Sequence, residues 1–410
     1  MLENIIEINS DTINIPITRK FHLKIPGFAE IPRQSENLQY NEFFEQNLCE
    51  NRPCILSSEC TKSWNSTRDW RNADNTPNLN FFEGLISKDE KVPISFCNKR
   101  YFNSQECKEE PIGSFFDYWR KKSAVDKDDC RYLKDWHFYR DWNSQYNAYT
   151  TPSYFCSDWL NEWWELKTDS EYRNDYRFVY IGPKNSWTPF HADVFGSFSW
   201  SANIVGKKRW IFFPPGEEIK LKDSLGNLVY DVESSESDEM ETKNGCAQRF
   251  EIIQGAGEII FVPSGWHHQV LNLEDTISIN HNWLNGCNIG YVFQLLQAEL
   301  RKVELEIKDC KEDVNWPEMC QDLLRASYGM NYHDLISLLS CIVDRRVLMI
   351  SNSSSVVLFD GCQLGVNHAK FDILRAKDVL EHLKEELMHL DMINLLSTCE
   401  SLIHKCKEYK

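Results

Sequence analysis

Two short stretches of the sequence contain the residue types of a metal site. In TPFHADVFG, one residue separates His191 from Asp193. In GEIIFVPSGWHHQV, His267 and His268 are adjacent. If both stretches form strands, alternation points His191 and Asp193 to one face, and only one of the adjacent histidines can join them. Two histidines and a carboxylate suit an open Fe(II) site; the alternative for each histidine is an ordinary hydrogen-bonded side chain.

A lysine pair in the same region is a candidate for binding an acidic co-substrate. GKKRW contains Lys207 and Lys208, which in a surface turn would simply be solvated. Counting back from Trp210 along a strand, Lys208 shares the face of the tryptophan, and Lys207 shares the opposite face with Arg209. An open Fe(II) site needs an electron donor beside it. A dicarboxylate such as 2-oxoglutarate would also need a cation at its far end.

From Arg131 onward the sequence pattern is typical of an antiparallel β domain. Short runs rich in β-branched and aromatic residues are separated by glycine and proline, without long helical patterns between residue 170 and residue 290. This spacing is typical of an antiparallel barrel or jelly roll. The predicted strands are RYLKDW, YRFVYIG, SFSWSANIVG, RWIFFPPG, GEIIFVPSGW and TISINHNW.

Three regions of an α+β chain are predicted. Residues 1–125 mix helical and strand patterns and are expected to be a scaffold, residues 126–286 hold the β domain, and residues 287–410 are helical. Segment 231–242 carries six acidic residues and no basic one, which predicts a solvated, flexible insertion, with a specific cation or partner site as the alternative. In the helical region, apolar residues repeat on one face, so these helices either cover the β domain or pair two protomers. Two such stripes are Val292, Leu296, Leu300, Val303 and Ile307, and Leu380, Leu383, Leu387 and Leu390.

Composition narrows the class of protein. The 15 cysteines are scattered singly with no C-x-x-C, which favours reduced thiols in the cytoplasm or nucleus over disulfides or a cysteine zinc site. A net charge of −17, with no long basic cluster, makes nucleic acid an unexpected partner. The N-terminal sequence has no signal-peptide pattern, and no apolar run approaches the roughly 18 residues of a membrane span. Neither secretion nor membrane insertion is expected.

Several motifs together resemble the Jumonji C (JmjC) family of Fe(II)- and 2-oxoglutarate-dependent oxygenases. They are WTPFHADVFGSFSWSANIVGKKRWIFFPPG and GEIIFVPSGWHHQVLNLEDTISINHNW, with YLKDWH upstream, and they span residues 131–283. The joint pattern of T-x-x-H-x-D, G-x-K-R-W, F-V-P-x-G-W-x-H-x-V and S-I-N-x-N-W is far more specific than any single motif. The resemblance implies a double-stranded β-helix, and no motif position is missing.

The resemblance also implies roles for individual residues. His191, Asp193 and His268 would bind iron, because the family's second histidine follows the G-W-x element, and His267 would then lie away from the metal. Lys208 would pair with the distal carboxylate of 2-oxoglutarate. The hydroxyls expected beside Lys208 are those of Thr188 and Tyr132, and the side chains expected at the chelating end are Asn282, Asn280 and Ser201.

The sequence resembles one branch of the family most closely in the segments LKDWH, SDWLNEWW and VPSGWHHQV. That branch is associated with lysyl hydroxylation of the eukaryotic translation termination factor, so the resemblance implies a protein hydroxylase that uses Fe(II), 2-oxoglutarate and O2. Asp135, Trp136 and Glu165 are candidates for receiving a cationic side chain at the mouth of the site, and a structural or merely exposed role is the alternative for each. An Nε-methyl-lysine demethylase and a cupin-like binding module without turnover are the alternatives.

Overall fold

The computed structural model describes residues 5–10, 13, 15–17, 29–121, 129–167, 175–352 and 356–408. The strands of this part of the chain are β1 (Ile5–Ile6), β2 (Cys54–Leu56), β3 (Lys91–Tyr101), β4 (Ser104–Pro111), β5 (Arg131–Trp136), β6 (Arg177–Gly182), β7 (Trp187–His191), β8 (Phe198–Val205), β9 (Lys208–Phe213), β10 (Phe250–Gln254), β11 (Ile259–Val262), β12 (His267–Asn272), β13 (Thr276–Trp283) and β14 (Gln363–Leu364).

The α-helices of the same residues surround these strands. They are α1 (Tyr40–Phe43), α2 (Asn65–Asp69), α3 (Leu79–Leu85), α4 (Ile112–Lys121), α5 (Phe138–Trp142), α6 (Trp159–Leu166), α7 (Ser235–Asn244), α8 (Ile289–Glu306), α9 (Trp316–Tyr328), α10 (Tyr332–Asn352), α11 (Val366–His389) and α12 (Ile393–Lys407). A π-helical segment, Phe44–Cys49, continues α1. None of the described helices is both long and apolar enough to span a bilayer.

Two antiparallel sheets form the β domain. The larger has the strand order β2-β11-β8-β13-β6-β5-β3-β4, and the smaller has the order β10-β9-β12-β7. Neighbours in sequence often lie in different sheets, which is the strand exchange of a jelly roll. The α+β jelly-roll prediction is therefore confirmed, and all six predicted strands are present. Strand β10, with the sequence FEIIQ, was not anticipated.

The N-terminal region contributes directly to the larger sheet. Strand β2 pairs with β11 at one edge, and β3 pairs with β5 near the other edge, where β4 follows. The predicted boundary near residue 125 lies outside the described residues. Within the described part, the N-terminal strands extend the larger of the two sheets.

The acidic segment is folded, and the expectation of a flexible insertion was wrong for the residues of α7. The helix begins after Ser234, whose hydroxyl accepts a hydrogen bond from the Ser237 amide. Met240 is buried in an apolar cluster with Phe190 and Phe213. One cap and one apolar anchor thus hold a helix whose other side chains are mostly charged, and charge counting did not detect either feature.

The apolar stripes of the C-terminal helices are buried within the chain. Val292, Leu296 and Leu300 of α8 pack in one cluster with Leu380 and Leu383 of α11. The same cluster contains Trp159 of α6 and Leu284, which follows β13. The helices therefore cover one end of the β domain, and pairing of two protomers through other faces of these helices stays a prediction.

Candidate active site and metal centre

The register between two strands brings the candidate histidines together. Strands β7 and β12 are antiparallel neighbours, and His191 lies directly opposite His268. Side chains directly opposite each other in a sheet point to the same face, and the two ring centroids are 4.4 Å apart. Asp193 lies two residues beyond the end of β7 in extended backbone. Ligand atoms of the three residues lie within 4.8 Å of one another.

Backbone carbonyls orient both imidazoles toward a common point. The Nδ1 atom of His191 lies 2.8 Å from the Pro189 carbonyl oxygen, and that of His268 lies 3.1 Å from the Trp266 carbonyl oxygen. Because a carbonyl only accepts, each Nδ1 carries the proton and each neutral ring keeps its Nε2 lone pair for a metal. Desolvation, together with the neighbouring His268, lowers the pKa of His191 to about 4. The ring is therefore neutral at physiological pH.

A hydroxyl fixes the third candidate ligand, Asp193. Ser199 donates a hydrogen bond of 2.6 Å to Oδ2 of Asp193, which leaves Oδ1 for a metal. Two imidazole nitrogens and one carboxylate oxygen are the donor set expected for non-haem Fe(II). His267 points away: its ring packs on Phe190, with centroids 5.4 Å apart, and its Nδ1 lies 3.2 Å from the Gly265 carbonyl oxygen. The structure thus brings His268 to the other two ligands, and not His267.

A buried lysine lies at the other end of the same face. Lys208 is only 2% exposed, and its Nζ donates to the hydroxyls of Ser278 at 2.7 Å and Tyr132 at 3.4 Å. In the described part of the chain no carboxylate forms an ion pair with it, and burial lowers its pKa to about 7. A buried ammonium group of this kind is poorly compensated until an anion binds. The site therefore fits an anionic ligand.

The positions of the neighbouring charges follow the predicted alternation. Lys207 lies on the outer face, where it pairs with Glu274 at 3.0 Å, and Arg209 pairs there with Glu233 at 2.8 Å. The turn before them requires glycine, because Gly206 has φ +79° and a Cβ there would collide with the Asp275 carbonyl oxygen. The G-x-K spacing thus fixes which lysine enters the site.

The cavity between the metal ligands and Lys208 is lined from both sheets. His268 lies opposite Phe212 on β9, and Phe212 is four residues from Lys208, which is about 13 Å of extended strand. A lysine side chain spans part of that distance and leaves room for a small dicarboxylate. The lining residues are Tyr132, Tyr180, Thr188, His191, Asp193, Ser199, Trp200, Ser201, Lys208, Trp210, His268, Val270, Asn280 and Asn282.

All the predicted co-substrate contacts therefore line one cavity. Asn282 donates to the Ser197 hydroxyl at 3.1 Å, and Asn280 donates to the Ser278 hydroxyl at 3.3 Å. The hydroxyl of Ser201 is buried and has no hydrogen-bond partner within the described residues, so it is available to a ligand. These positions place amides and a hydroxyl beside the metal ligands.

Sequence reasoning missed several residues of the site. Ser278 is the nearest partner of Lys208, and it shares the period-two face of Asn280 and Asn282, which was the available signal. Tyr180 is on the neighbouring strand, opposite Ser278. Nothing in the one-dimensional pattern of YRFVYIG showed that this tyrosine faces a cavity, because its role depends on pairing between β6 and β13.

The three candidates for the mouth of the site lie in different environments. Trp136 is 3% exposed in the main hydrophobic core, so it has the structural role that was its alternative and does not reach the mouth. Glu165 is committed to an ion pair with Arg177 at 2.7 Å. Asp135 is exposed and accepts a hydrogen bond of 2.6 Å from Tyr180, which lines the cavity. Asp135 alone lies at the rim.

Comparisons with known proteins agree with this geometry. The family model described as "JmjC domain, hydroxylase" matches residues 178–283. The chain is 40% identical to "2-oxoglutarate and iron-dependent oxygenase JMJD4" of Danio rerio over 96% of both chains, and 39% identical to that of Homo sapiens over 89% of this chain and 88% of the relative. It is also 39% identical to "Arginine-specific demethylase JMJ20" of Arabidopsis thaliana, over 81% of this chain and 74% of the relative. The chain therefore belongs to the JMJD4 family of JmjC-domain, 2-oxoglutarate and iron-dependent oxygenases.

Proposed function

We propose that this oxygenase hydroxylates a carbon of a lysine side chain in a protein, and that its substrate is the eukaryotic translation termination factor. The observation that carries the proposal is the single cavity with a two-histidine, one-carboxylate triad at one end and the uncompensated Lys208 at the other. The choice of lysine and of the termination factor rests on the sequence resemblance to one branch of the family. Fifteen free cysteines support a reducing location, which we propose to be the cytoplasm or nucleus.

One set of cavity residues would hold the iron, and another would hold and orient 2-oxoglutarate. Nε2 of His191, Nε2 of His268 and Oδ1 of Asp193 would hold the iron, and Lys208 with Tyr132 would hold the distal carboxylate of 2-oxoglutarate. Iron and 2-oxoglutarate, when bound, supply the oxidising chemistry, and the protein supplies position and a dry environment. Aromatic and apolar walls, including Trp200, Trp210 and Val270, keep water from the reacting groups.

Replacing Lys208 with alanine is expected to raise the 2-oxoglutarate concentration needed for half-maximal turnover by about 100-fold or more, since a buried charge-assisted contact contributes about 3 kcal/mol. Iron binding should be unchanged, because Lys208 does not contact the triad. Succinate formation as a function of 2-oxoglutarate measures the first effect, and metal content after reconstitution measures the second. Equal loss of both would show that Lys208 supports the whole cavity and has no selective role.

The affinity for 2-oxoglutarate should fall as the pH rises above 7. Burial lowers the pKa of Lys208 to about 7, so the fraction of protein carrying the ammonium group decreases above that pH. Because the ligand selects the protonated lysine, linkage gives a loss of about tenfold in affinity per pH unit until the pKa of the complex is reached. Titration calorimetry between pH 6.5 and 9 would measure this slope. Lys208→Arg keeps its charge throughout, so a slope that survives in this variant would exclude Lys208 as the origin.

Demethylation is the second candidate, because one of the relatives is named an arginine-specific demethylase. Hydroxylation of a methyl group on nitrogen releases formaldehyde, whereas hydroxylation of a side-chain carbon leaves a stable product one oxygen heavier. The same iron site serves both reactions, so only the position of the substrate separates them. Formaldehyde release from a methylated peptide, without a stable oxidised product, would favour demethylation.

The decisive experiment is mass spectrometry of lysine-containing fragments of the termination factor after incubation with the protein, Fe(II), 2-oxoglutarate and O2. We expect a gain of one oxygen on a single lysine, absent with the His191→Ala variant. Succinate without a modified fragment would retain the oxygenase and reject this substrate.

A further inference from the structure

The hairpin between β3 and β4 has an unusual residue at its tip. Tyr101 pairs with Ser104, so Phe102 and Asn103 form a two-residue loop. Phe102 has φ +53°, a conformation that glycine or asparagine adopts at little cost and that is strained for a bulky residue. The residue is nonetheless 80% exposed, and its ring packs edge-on against Tyr101, with centroids 4.8 Å apart. The tip therefore exposes an aromatic pair at the expense of local stability, which indicates a function.

A groove separates this tip from the acidic insertion. Arg100 and Phe102 lie on one wall, and Leu228 and Glu236 lie on the other. Arg100 is the one cation among the described residues that line the groove, and its guanidinium lies 4.8 Å from the centre of the Tyr230 ring and 3.7 Å from the Glu236 carboxylate. The positive charge is thus already balanced within the groove.

Helix α7 itself has a net negative charge. It carries four acidic residues and one lysine, and Asp238 and Glu239 are exposed. The loop before the helix exposes Leu225, which is 86% accessible. Exposed apolar side chains beside a negative helix form a surface that complements a basic protein segment with an apolar anchor.

The groove lies close to the strand that carries a metal ligand. Gln105 of β4 donates a hydrogen bond of 3.0 Å to the Trp187 carbonyl oxygen, and the Trp187 ring packs against Tyr230 with centroids 5.3 Å apart. Trp187 begins β7 and His191 ends it, a separation of about 13 Å in extended strand. A bound polypeptide could therefore contact the groove and the catalytic cavity at the same time.

We propose that the tip of the β3–β4 hairpin and the groove beside α7 are a docking surface for a basic segment of the protein substrate, separate from the catalytic cavity. Phe102 and Tyr101 would supply the aromatic anchor, which can accept both apolar and cationic side chains. A second copy of this chain is disfavoured as the occupant, because each copy carries a net charge of −17. The proposal rests on the proposed function in that the occupant is a protein substrate.

The test uses the full chain with Phe102→Asn. Asparagine tolerates the positive φ, so the melting temperature should stay the same or rise. We expect the Kd for the intact termination factor, and the KM for its hydroxylation, to rise about tenfold, while the KM for a short peptide around the target lysine changes less than twofold. Val314→Asn, at a position 91% exposed between α8 and α9, is the matched control and should change neither value. Asp238→Asn combined with Glu239→Gln should weaken binding of the intact factor several-fold at low salt.

Each outcome separates the docking surface from the proposed reaction. Binding that depends on Phe102 without hydroxylation would retain the docking surface and reject the lysyl hydroxylase. Hydroxylation with the same KM for Phe102→Asn and the wild-type protein would retain the lysyl hydroxylase and reject the docking surface. If the wild-type protein neither bound nor hydroxylated the factor, both proposals would be rejected. Self-association that is lost in Phe102→Asn, measured by sedimentation, would make a second copy the occupant and overturn the proposal.

Discussion

Asp193→Ala is expected to reduce 2-oxoglutarate turnover by at least about 100-fold, because loss of a direct ligand should exceed the 10–100-fold effect of losing a supporting partner. The side chain is the one carboxylate of the triad, and its Oδ2 is already held by Ser199. Without it, two neutral imidazoles remain, so the ion loses one of three protein ligands and the one negative charge among them. Iron content after anaerobic reconstitution and succinate formation should fall together.

His267→Ala is the matched control for this prediction. His267 adjoins His268 in sequence, but it lies on the opposite face and packs on Phe190. Its removal should leave the iron content unchanged. A variant without His267 that loses iron as completely as Asp193→Ala would reverse the assignment of the two histidines. Full iron content in Asp193→Ala would show that the carboxylate is not a ligand.

The site was predictable from sequence because its residues follow simple strand rules. Period-two alternation separates His268 from His267 and Lys208 from Lys207, and short motifs fix their distances from glycine-containing turns. Asp193 departs from the rule, since β7 ends at His191, yet extended backbone keeps its carboxylate on the same side. Alternation thus showed that only one of the two adjacent histidines can be a ligand, and the resemblance to the JmjC family selected His268.

Features that depend on contacts distant in sequence were not predictable. Tyr180 belongs to the site only because β6 pairs with β13. Trp136 lies in the core and not at the mouth because a bulge shifts the register of β5 against β6. Asp135, at that bulge, has φ +57° and projects to the rim instead. The folding of α7 likewise depends on Met240, whose apolar neighbours come from β7 and β9.

The junction between the helical region and the β domain also depends on contacts between residues that are distant in sequence. Arg346 of α10 is completely buried and joins Glu162 of α6 to Asp372 of α11. Helix α6 also contacts strand β13, because the side-chain amide of Asn161 donates to the Asn282 carbonyl oxygen at 3.2 Å. Disruption of this ion-pair cluster should therefore affect the stability of both parts.

Arg346→Met is expected to lower the free energy of unfolding by about 3 kcal/mol, the lower end of the range for breaking a buried ion pair. The lower end applies because both carboxylates keep a neighbour: Glu162 keeps Arg345 at 2.7 Å, and Asp372 keeps the His368 ring at 3.2 Å and the Trp159 indole at 3.4 Å. Urea denaturation followed by tryptophan fluorescence would measure the change.

The control for Arg346→Met is an exposed pair of similar length in the same helical region. Lys405 lies 2.6 Å from Asp344, but the two side chains are 40% and 51% exposed, so Lys405→Met should cost less than about 1 kcal/mol. Combining Arg346→Met with Asp372→Asn should recover part of the loss, because the cost comes from a buried carboxylate left without its cation, and removing that charge removes the cause. Equal losses for the two methionine variants, or no recovery in the double variant, would show that Arg346 contributes through packing of its side chain and that its charge has little effect.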